Sequence, residues 1–352
     1  VGQAENLWPR LIRDFKAGKL QKSYWEVKQE GDFLEGVPTP LSDLHNRHRY
    51  MIPDTVQATR GCRRVCDFCT VPAIFPKFVK RPIADVIADI RRTKSRYIAF
   101  NDVSIAEDPE YAKELFQAMV PLRKKWGGLA TVEIAKDPEL LTLLRQSGCI
   151  YLLFGFESVD QATLRDMGKG FNLPGQYEEL MYRMHDLDIS VQGCFVFGFD
   201  HDDKNVFQRT VERVHELKID IPRYSIHTPY PGTPLFKKLS NEGRILSYNW
   251  DDYDTMHVVS QPAQMLSEEL YEGFKWAYKE TFRTRRILQR MQGVSTRSTV
   301  NFIGNLAYKI FVKRLYSDSR FRYPYSVGDT RSEPCQLDFN VSEKEGRLVC
   351  QG

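Results

Sequence analysis

Short apolar segments alternate with amphipathic stretches between about residues 54 and 245. Six of the apolar segments are bounded by turn residues and are typical of buried parallel strands: 55–59, 97–100, 130–134, 150–156, 190–197 and 223–227. Between them, apolar residues recur at helical spacing, as Ile83, Val86, Ile87 and Ile90 do. Six strand–helix units in series predict a parallel sheet with right-handed crossovers.

The number of these units predicts the fold class. We expect an α/β fold, in which six units form an open, partial (β/α)6 barrel rather than the closed barrel of eight. We assign residues 51–245 to this core, 1–50 to a linker with the remnant of a preceding domain, and 246–352 to a mainly helical C-terminal extension. In these outer parts the pattern predicts helices over 7–17 and 266–292.

Composition and charge narrow the class of protein. The 352 residues carry a formal net charge of +4, and 42% of them are hydrophobic. No apolar run reaches the length of a membrane span. The chain has seven cysteines, three of them within residues 62–69. This odd, clustered usage differs from a secreted disulfide framework and indicates a reducing cytoplasm with a metal or cluster site. The small charge gives no reason to expect nucleic acid as a partner.

The clustered cysteines are Cys62, Cys66 and Cys69, and they come directly after the first predicted strand. Catalytic groups of barrel enzymes lie at this end of the strands. Three thiolates on one loop can hold three irons of a cubane cluster and leave the fourth iron open to a chelating substrate. The alternative is a zinc site with a remote fourth ligand, but no second close pair of Cys or His residues accompanies the loop. The ligand pattern favours an iron–sulfur cluster.

This loop, with Phe68 before its last cysteine, resembles the signature of the radical S-adenosylmethionine (SAM) superfamily. The resemblance extends over residues 54–245. It implies that Cys62, Cys66 and Cys69 form a catalytic 4Fe-4S site, that SAM binds at the open iron, and that SAM is cleaved reductively to a 5′-deoxyadenosyl radical. It also implies an external electron donor.

The resemblance further implies cofactor-binding residues at the ends of the strands. They are Phe68, Asn101, Asp102, Glu133, Glu157, Ser158, Gly193 and Phe197. Asn101 and Asp102 at the end of the second strand would meet the methionine amino group, largely through backbone. Glu157 and Ser158 at the end of the fourth strand would meet the ribose and carboxylate, and the fifth-strand segment would support the adenine. Independently of the resemblance, Glu133 and Glu157 end apolar runs at the rim, where a buried carboxylate needs a partner. Surface carboxylates and turn-capping residues are the alternative explanation.

Other segments resemble the cobalamin-dependent branch of this superfamily, namely 195–202, 230–235 and 250–254. Residues 2–9 resemble the last piece of that branch's N-terminal cobalamin-binding domain. Because the branch includes C-methyltransferases such as the hopanoid methylases, the resemblance implies methylation of an unactivated carbon. The sequence has no cobalamin-ligating D-x-H-x-x-G motif, since its nearest segment, Asp43-Leu44-His45, lacks the glycine. Cobalamin is therefore expected for the branch but not assigned to a residue of this chain.

A basic segment bears on the substrate and the location. Residues 281–316 contain eight Lys or Arg and no Asp or Glu, and Ile303, Leu306, Ala307 and Ile310 form an apolar helical stripe. Such a segment can bind an anionic membrane surface, which would suit an enzyme that draws a lipid from the bilayer. A helix packed on the barrel with a solvated basic face is the commoner explanation. We expect a cytoplasmic enzyme, with peripheral contact to the inner face of the membrane under the first explanation.

Two rival functions use the same cysteines. A radical SAM oxidoreductase or cyclase of the same branch would share the cluster and differ in the fate of the substrate radical. A non-catalytic zinc- or cluster-binding interaction protein would share only the metal site. RNA binding through the basic segment lacks a dedicated recognition motif.

Overall fold

A computed structural model describes residues 4–25, 34, 36–41, 46–50, 52–292 and 298–317. Within these ranges the strands are β1 Thr55–Val56, β2 Thr59–Arg60, β3 Val79–Lys80, β4 Tyr97–Phe100, β5 Lys125–Ala130, β6 Cys149–Glu157, β7 Ser190–Phe197 and β8 Ile221–Ile226. Six of them form one parallel sheet in the order β1-β4-β5-β6-β7-β8. The other two, β2 and β3, pair with each other antiparallel. The predicted α/β class and the partial barrel are confirmed.

Helices follow most of the strands. The described α-helices are α1 Ala4–Lys16, α2 Val71–Ile74, α3 Ile83–Arg92, α4 Pro109–Met119, α5 Pro138–Ser147, α6 Gln161–Asp166, α7 Tyr177–Asp186, α8 Val206–Glu216, α9 Pro234–Asn241, α10 Ser267–Thr281, α11 Thr284–Met291 and α12 Ser298–Ser317. Carboxylates cap two of them, because Asp108 accepts a hydrogen bond from Tyr111 N at 3.2 Å and Asp137 accepts one from Leu140 N at 3.0 Å.

The two faces of the sheet differ in what covers them. On the outer face, Trp126, Phe154 and Phe195 are fully buried beneath the helices. The inner face carries half-buried or exposed residues and is called the lumen here. Its positions on β5 to β8 include Gly127, Leu129, Tyr151, Leu153, Gly155, Gln192, Cys194, Val196, Arg223 and Ser225. This difference is expected for an unclosed barrel, in which helices cover one face of each strand and the alternate side chains line the interior.

One predicted strand is wrong in its position. The prediction placed the third strand over 130–134, whereas β5 runs over Lys125–Ala130 and Val132–Lys136 forms a 3-10 helix. Gly127 and Gly128 weaken the strand signal, because glycine has low β-propensity. Gly127 is nonetheless required, since a Cβ there would lie 3.0 Å from Cδ1 of the Tyr151 ring. The other five predicted strands agree with the structure to within a few residues.

The helix predicted over 266–292 is two helices with a break at Arg283. The backbone of Arg283 is not helical, with φ −59° and ψ 138°. The break turns α11 so that Arg290 donates hydrogen bonds to Thr281 O and to Asn305 Oδ1, both at 2.8 Å. Arg290 is 2% exposed. This residue therefore links the helices of the extension and is not part of a solvated basic face.

The C-terminal helices cover the open edge of the sheet at β8. Tyr278 of α10 uses its hydroxyl to accept a hydrogen bond from Tyr224 N at 3.1 Å and to donate one to Tyr224 O at 2.8 Å. From α12, Asn301 Nδ2 donates to Asp220 Oδ1 at 2.6 Å. Among the described residues, no helix is long and apolar enough to cross a membrane. The boundary at residue 245 stays a prediction, as does the assignment of 318–352, which lie outside the described residues.

Gly148, which ends α5, gives a test of this fold. Its φ is +91°, and a Cβ there would collide with Lys124 O. We expect Gly148→Ala to lower the free energy of unfolding by roughly 2–4 kcal/mol, from left-handed strain and the displaced carbonyl. Gly243→Ala is the control, because Gly243 has φ +67° but nothing within 4 Å. The free energy of unfolding of Gly243→Ala should fall by only about 1 kcal/mol. Equal losses in anaerobic urea unfolding would contradict the packing at Gly148.

Candidate functional site

The three cysteines lie on the loop between β2 and α2. Their thiols are free and half-buried. Burial, together with smaller contributions that include the charge of Cys69, raises the pKa of Cys62 and of Cys66 to about 11. Metal binding at this loop would have to displace their protons.

Segments that follow neighbouring strands hold the cysteine loop in place. Arg64 forms an ion pair with Glu133, which follows β5. Asp67 N donates a hydrogen bond to Met167 O at 3.1 Å, and Leu235 N donates one to Asp67 O at 3.1 Å. Met167 follows β6 in the chain and Leu235 follows β8. The loop is thus fixed across the C-terminal mouth of the partial barrel, where barrel enzymes place their catalytic groups.

The donor set fits a cubane cluster. In the part of the chain that the structure describes, no three His, Cys, Asp or Glu side chains converge as the ligands of a single metal ion do. A cubane does not require such convergence, because each thiolate binds a different corner. Three half-buried thiols on one fixed loop match this requirement. Their role as ligands stays a prediction.

Asp102 is buried behind the loop. Its carboxylate accepts hydrogen bonds from Ala58 N at 3.1 Å, from Thr59 N, and from Thr59 Oγ1 at 2.6 Å. Desolvation raises its pKa to about 6, although these hydrogen bonds oppose the rise. These contacts position the chain that leads into Cys62 and engage the carboxylate with the protein. The predicted contact of this segment with the methionine amino group is largely through backbone, and it stays a prediction. Its neighbour Asn101 is exposed at the same strand end, and a cofactor contact there stays a prediction.

Glu157 and Lys169 form an ion pair beside the cysteines. Lys169 Nζ lies 2.7 Å from Glu157 Oε1, and both side chains are largely buried. Gly155 makes room for the pair, because a Cβ at this position would lie 2.7 Å from Lys169 Nζ. The φ of Glu157 is +63°, a strained conformation of the kind retained at functional sites. Burial raises the pKa of Cys66, Lys169 lowers it and Glu157 raises it, which places the pair near that thiol.

Ser158 and Phe68 lie at the same rim and contact protein groups. Ser158 is buried, and its Oγ accepts a hydrogen bond from Asp160 N at 3.0 Å. The Phe68 ring packs against a small buried cluster formed by Leu164, Met167 and Phe199. Both residues shape the mouth of the barrel, and their contact with SAM stays a prediction.

Gly193 and Phe197 face the helices and not the lumen. A Cβ at Gly193 would lie 2.9 Å from Ile219 Cγ2. Phe197 packs edge-on against Phe207 of α8, with ring centroids 4.9 Å apart. Because side chains alternate along a strand, the lumen positions of β7 are Gln192, Cys194 and Val196. An adenine contact at Gly193 or Phe197 can involve only the backbone, and it stays a prediction.

Sequence reasoning missed the polar residues of the lumen. Tyr151 donates a hydrogen bond to Gln192 Oε1, and Gln192 Nε2 donates one to Tyr308 Oη at 3.0 Å. Arg223 lies next to Cys194 in the register of β8 with β7. The signal that could have found them is alternation, since each occupies a position whose sequence neighbours face the apolar core. Cys194 is thus a half-buried lumen residue, although its strand neighbours Gly193 and Phe195 are buried.

Comparisons with known proteins bear on the family of this chain. The family model of the radical SAM superfamily matches residues 56–214. A bacteriochlorophyllide d C-12(1)-methyltransferase of Chlorobaculum tepidum is 31% identical over 329 residues, covering 90% of this chain and 71% of the relative. A hopanoid C-2 methylase of Rhodopseudomonas palustris is 25% identical, over 59% of this chain and 42% of its own length.

A solved structure supports the fold. It is that of OxsB, a cobalamin-dependent SAM radical enzyme with aqua-cobalamin and SAM bound, which matches with a TM-score of 0.57 at 14% identity and covers 91% of this chain and 57% of that chain. The partial barrel with its cysteine loop is the architecture of an iron–sulfur enzyme. The chain belongs to the radical SAM superfamily, for which the expected cofactors are a 4Fe-4S cluster and SAM.

Asp202, buried just beyond β7, makes the stability of this region depend on pH. Its Oδ2 accepts hydrogen bonds from Gly198 N at 2.9 Å and Phe199 N at 3.1 Å, yet burial raises its pKa from 3.8 to about 7. Because the pKa of this carboxyl is higher in the folded state than in the unfolded state, its protonation stabilises the fold. This contribution is complete when the pH is below the unfolded-state pKa, and it is lost as the pH rises through the folded-state pKa.

We therefore expect the wild-type urea midpoint to fall, relative to that of Asp202→Asn, between about pH 4 and pH 7. Tryptophan fluorescence during anaerobic urea titration at several pH values measures both midpoints. A difference between the two proteins that stays constant over this range would contradict the prediction.

Proposed function

We propose that this protein is a radical SAM C-methyltransferase in which Cys62, Cys66 and Cys69 hold a catalytic 4Fe-4S cluster. When bound, the cluster supplies the electron that cleaves SAM to methionine and a 5′-deoxyadenosyl radical, which abstracts hydrogen from an unactivated carbon. An external donor is the source of that electron. The observation that carries the proposal is the loop of three half-buried thiols fixed across the mouth of the barrel. We propose a cytoplasmic location, because these thiols have to stay reduced.

The residues of the chain position the reactants and exclude water. The carboxylate of Asp102 fixes the segment before the loop, and Phe68 fills the apolar space beside it. The ion pair of Glu157 and Lys169 presents one acceptor and one cationic donor next to Cys66. These groups are complementary to the amino and carboxylate groups of SAM, and we propose that they help to bind it.

Methyl transfer and the substrate class are proposed from a relative whose match covers 90% of this chain. The 31% identical protein is named a bacteriochlorophyllide methyltransferase, so we propose a tetrapyrrole as the substrate class. A lipid is the second candidate, supported by the hopanoid C-2 methylase, which matches a smaller part of the chain. A cyclase or oxidoreductase of the same branch would use the same loop and would differ in leaving no methyl group on its product.

Cobalamin is the methyl carrier that the resemblance implies, and the OxsB structure contains it. The sequence has no D-x-H-x-x-G motif, and its nearest segment, 43–45, lies outside the described residues. The residues present therefore do not supply that ligand set, and no residue of this chain is assigned to cobalamin.

Cys66→Ala tests the proposed chemistry. We expect it to abolish 5′-deoxyadenosine formation, because two thiolates do not retain a cubane with one open iron. Protein reconstituted anaerobically with iron and sulfide is reduced in the presence of methyl-labelled SAM and analysed by mass spectrometry. Undiminished SAM cleavage in Cys66→Ala would defeat the mechanism. In wild type, a tetrapyrrole product that gains the labelled methyl separates methyl transfer from cyclisation.

The matched control is Cys149→Ala. Cys149 is 5% exposed and opens β6, at the end of the sheet opposite to the cysteine loop. Removal of this thiol should leave iron content and SAM cleavage close to the wild-type values. An equal loss in both variants would indicate a general effect of removing a cysteine.

The outer face of α12 supports a second proposal, which concerns the membrane. The predicted apolar stripe faces solvent and not the barrel, because Ile303, Leu306 and Ile310 are between 47% and 51% exposed and Ala307 is also exposed. The neighbouring Phe302, which was not predicted, is 59% exposed. Exposed cations accompany it at Arg285, Lys313 and Arg314. An apolar face with neighbouring cations is complementary to an anionic lipid surface. We propose that α12 binds such a surface peripherally.

Leu306→Glu tests this contact. We expect wild-type protein to co-sediment with vesicles that contain phosphatidylserine, and the variant to lose at least half of that binding, because a carboxylate would enter an anionic interface. Leu266→Glu is the control, since Leu266 is 62% exposed but lies at the start of α10. Equal sedimentation of wild type and Leu306→Glu, or no dependence on anionic lipid, would end the membrane proposal.

A further inference from the structure

Arg223 projects into the lumen from the edge strand β8. Its strand neighbours Pro222 and Tyr224 are buried on the helix-covered face, whereas Arg223 is exposed. In the sheet register it lies next to Cys194 of β7, which in turn lies next to Gly155 of β6. The guanidinium therefore extends from the same level of the barrel that carries the Glu157–Lys169 pair.

This arginine differs from the other lumen cation in having no acidic partner. Lys169 pairs with Glu157 at 2.7 Å. Within the described ranges, by contrast, the guanidinium of Arg223 makes no ion pair and no hydrogen bond. Burial lowers the pKa of Arg223, but Cys194 and the hydroxyls of Tyr308, Tyr278 and Tyr151 raise it by more, so the guanidinium stays charged. A cation without an acidic partner can pair with an anionic ligand.

Part of the lumen wall is apolar. Leu129 is 38% exposed, although Gly128 and Ala130 beside it in β5 are buried. The half-buried Leu153 and Val196 extend this wall on β6 and β7. A ligand that matches this wall and Arg223 together has a broad apolar body and one anionic group.

We infer that Arg223 binds the carboxylate of an amphipathic substrate whose apolar body lies against the lumen wall. This inference rests on the proposed function, and it places the substrate in the lumen next to SAM at the cysteine loop. A fixed carboxylate would orient the body of the substrate and so select which carbon faces the cysteine loop. Arg223 is on this account a substrate-positioning residue. Its planar guanidinium can bind both carboxylate oxygens at once.

SAM also carries a carboxylate, but the geometry assigns Arg223 to the carboxylate of the substrate. Cys66 Sγ lies 4.0 Å from Gly168 O, next to Lys169 in the chain. The Lys169 ammonium lies over Gly155 of β6, whereas Arg223 lies on β8, with Cys194 of β7 between Gly155 and Arg223 in the sheet register. The ion pair is therefore on the cysteine-loop side of Arg223. SAM held at the loop meets Lys169 first, which leaves Arg223 for a molecule farther along the lumen.

Binding of a matched acid and ester tests this assignment. Pyropheophorbide a is a tetrapyrrole with one carboxylate, and its methyl ester differs only in lacking that charge. Their dissociation constants are measured by fluorescence titration of the anaerobically reconstituted protein. We expect wild type to bind the acid about tenfold to hundredfold more tightly than the ester, as charge-assisted hydrogen bonds allow. Arg223→Gln should abolish that preference, and Arg223→Lys should retain part of it.

Controls distinguish a substrate carboxylate from the carboxylate of SAM. They also distinguish failure of the Arg223 assignment from failure of the proposed function. Arg209→Gln removes an exposed arginine of α8 that pairs with Asp203, and it should keep the acid preference. The dissociation constant of SAM should be the same in wild type and Arg223→Gln. A loss of SAM affinity with an unchanged preference for the acid would overturn the assignment, as would failure of wild type to bind the acid. Formation of 5′-deoxyadenosine is measured in parallel, because its absence in wild type would reject the proposed function and not the role of Arg223.

Discussion

The fixed position of the cysteine loop is the constraint on which the rest of the site depends. Three thiolates can share one cubane only when the loop that carries them keeps a single conformation. Here that conformation is set by two backbone hydrogen bonds of Asp67, one to Met167 after α6 and one to Leu235 in α9, and by the buried carboxylate of Asp102, which accepts hydrogen bonds from the backbone N–H groups of Ala58 and Thr59. The order of the site therefore derives from the barrel beneath it and not from the metal alone.

The two faces of the strands divide stability from chemistry. Aromatic residues on the helix-covered face, such as Phe156 stacked on Phe195 at 5.5 Å, stabilise the sheet. Glycines on the lumen face, Gly127 and Gly155, create the space in which side chains from neighbouring strands and loops meet. Because the two faces have separate functions, substitutions at lumen positions can change which ligand binds without disrupting the packing of the hydrophobic core.

The sequence predicted the parts of this molecule that repeat or cluster. Alternating apolar segments predicted the sheet, and the spacing of Cys62, Cys66 and Cys69 predicted the cluster loop. The position of β5 could not be predicted, since two adjacent glycines obscure it until Tyr151 is seen to lie against Gly127 and Phe100 against Gly128. The outward orientation of Phe197 and the inward orientation of Arg290 depend on which neighbours pack against each, and that information is tertiary.

The hydroxyl of Tyr278 has a consequence for the behaviour of the protein in solution. By bonding both backbone groups of Tyr224, it occupies the outward side of the last strand of the sheet at that residue. The backbone N–H of Ile226, two residues later, is similarly taken by Thr255 O at 2.7 Å. An exposed strand edge is a template on which another chain can add and aggregate. This edge is closed to such addition by a buried phenol and a loop carbonyl, without relying on surface charge that salt would screen.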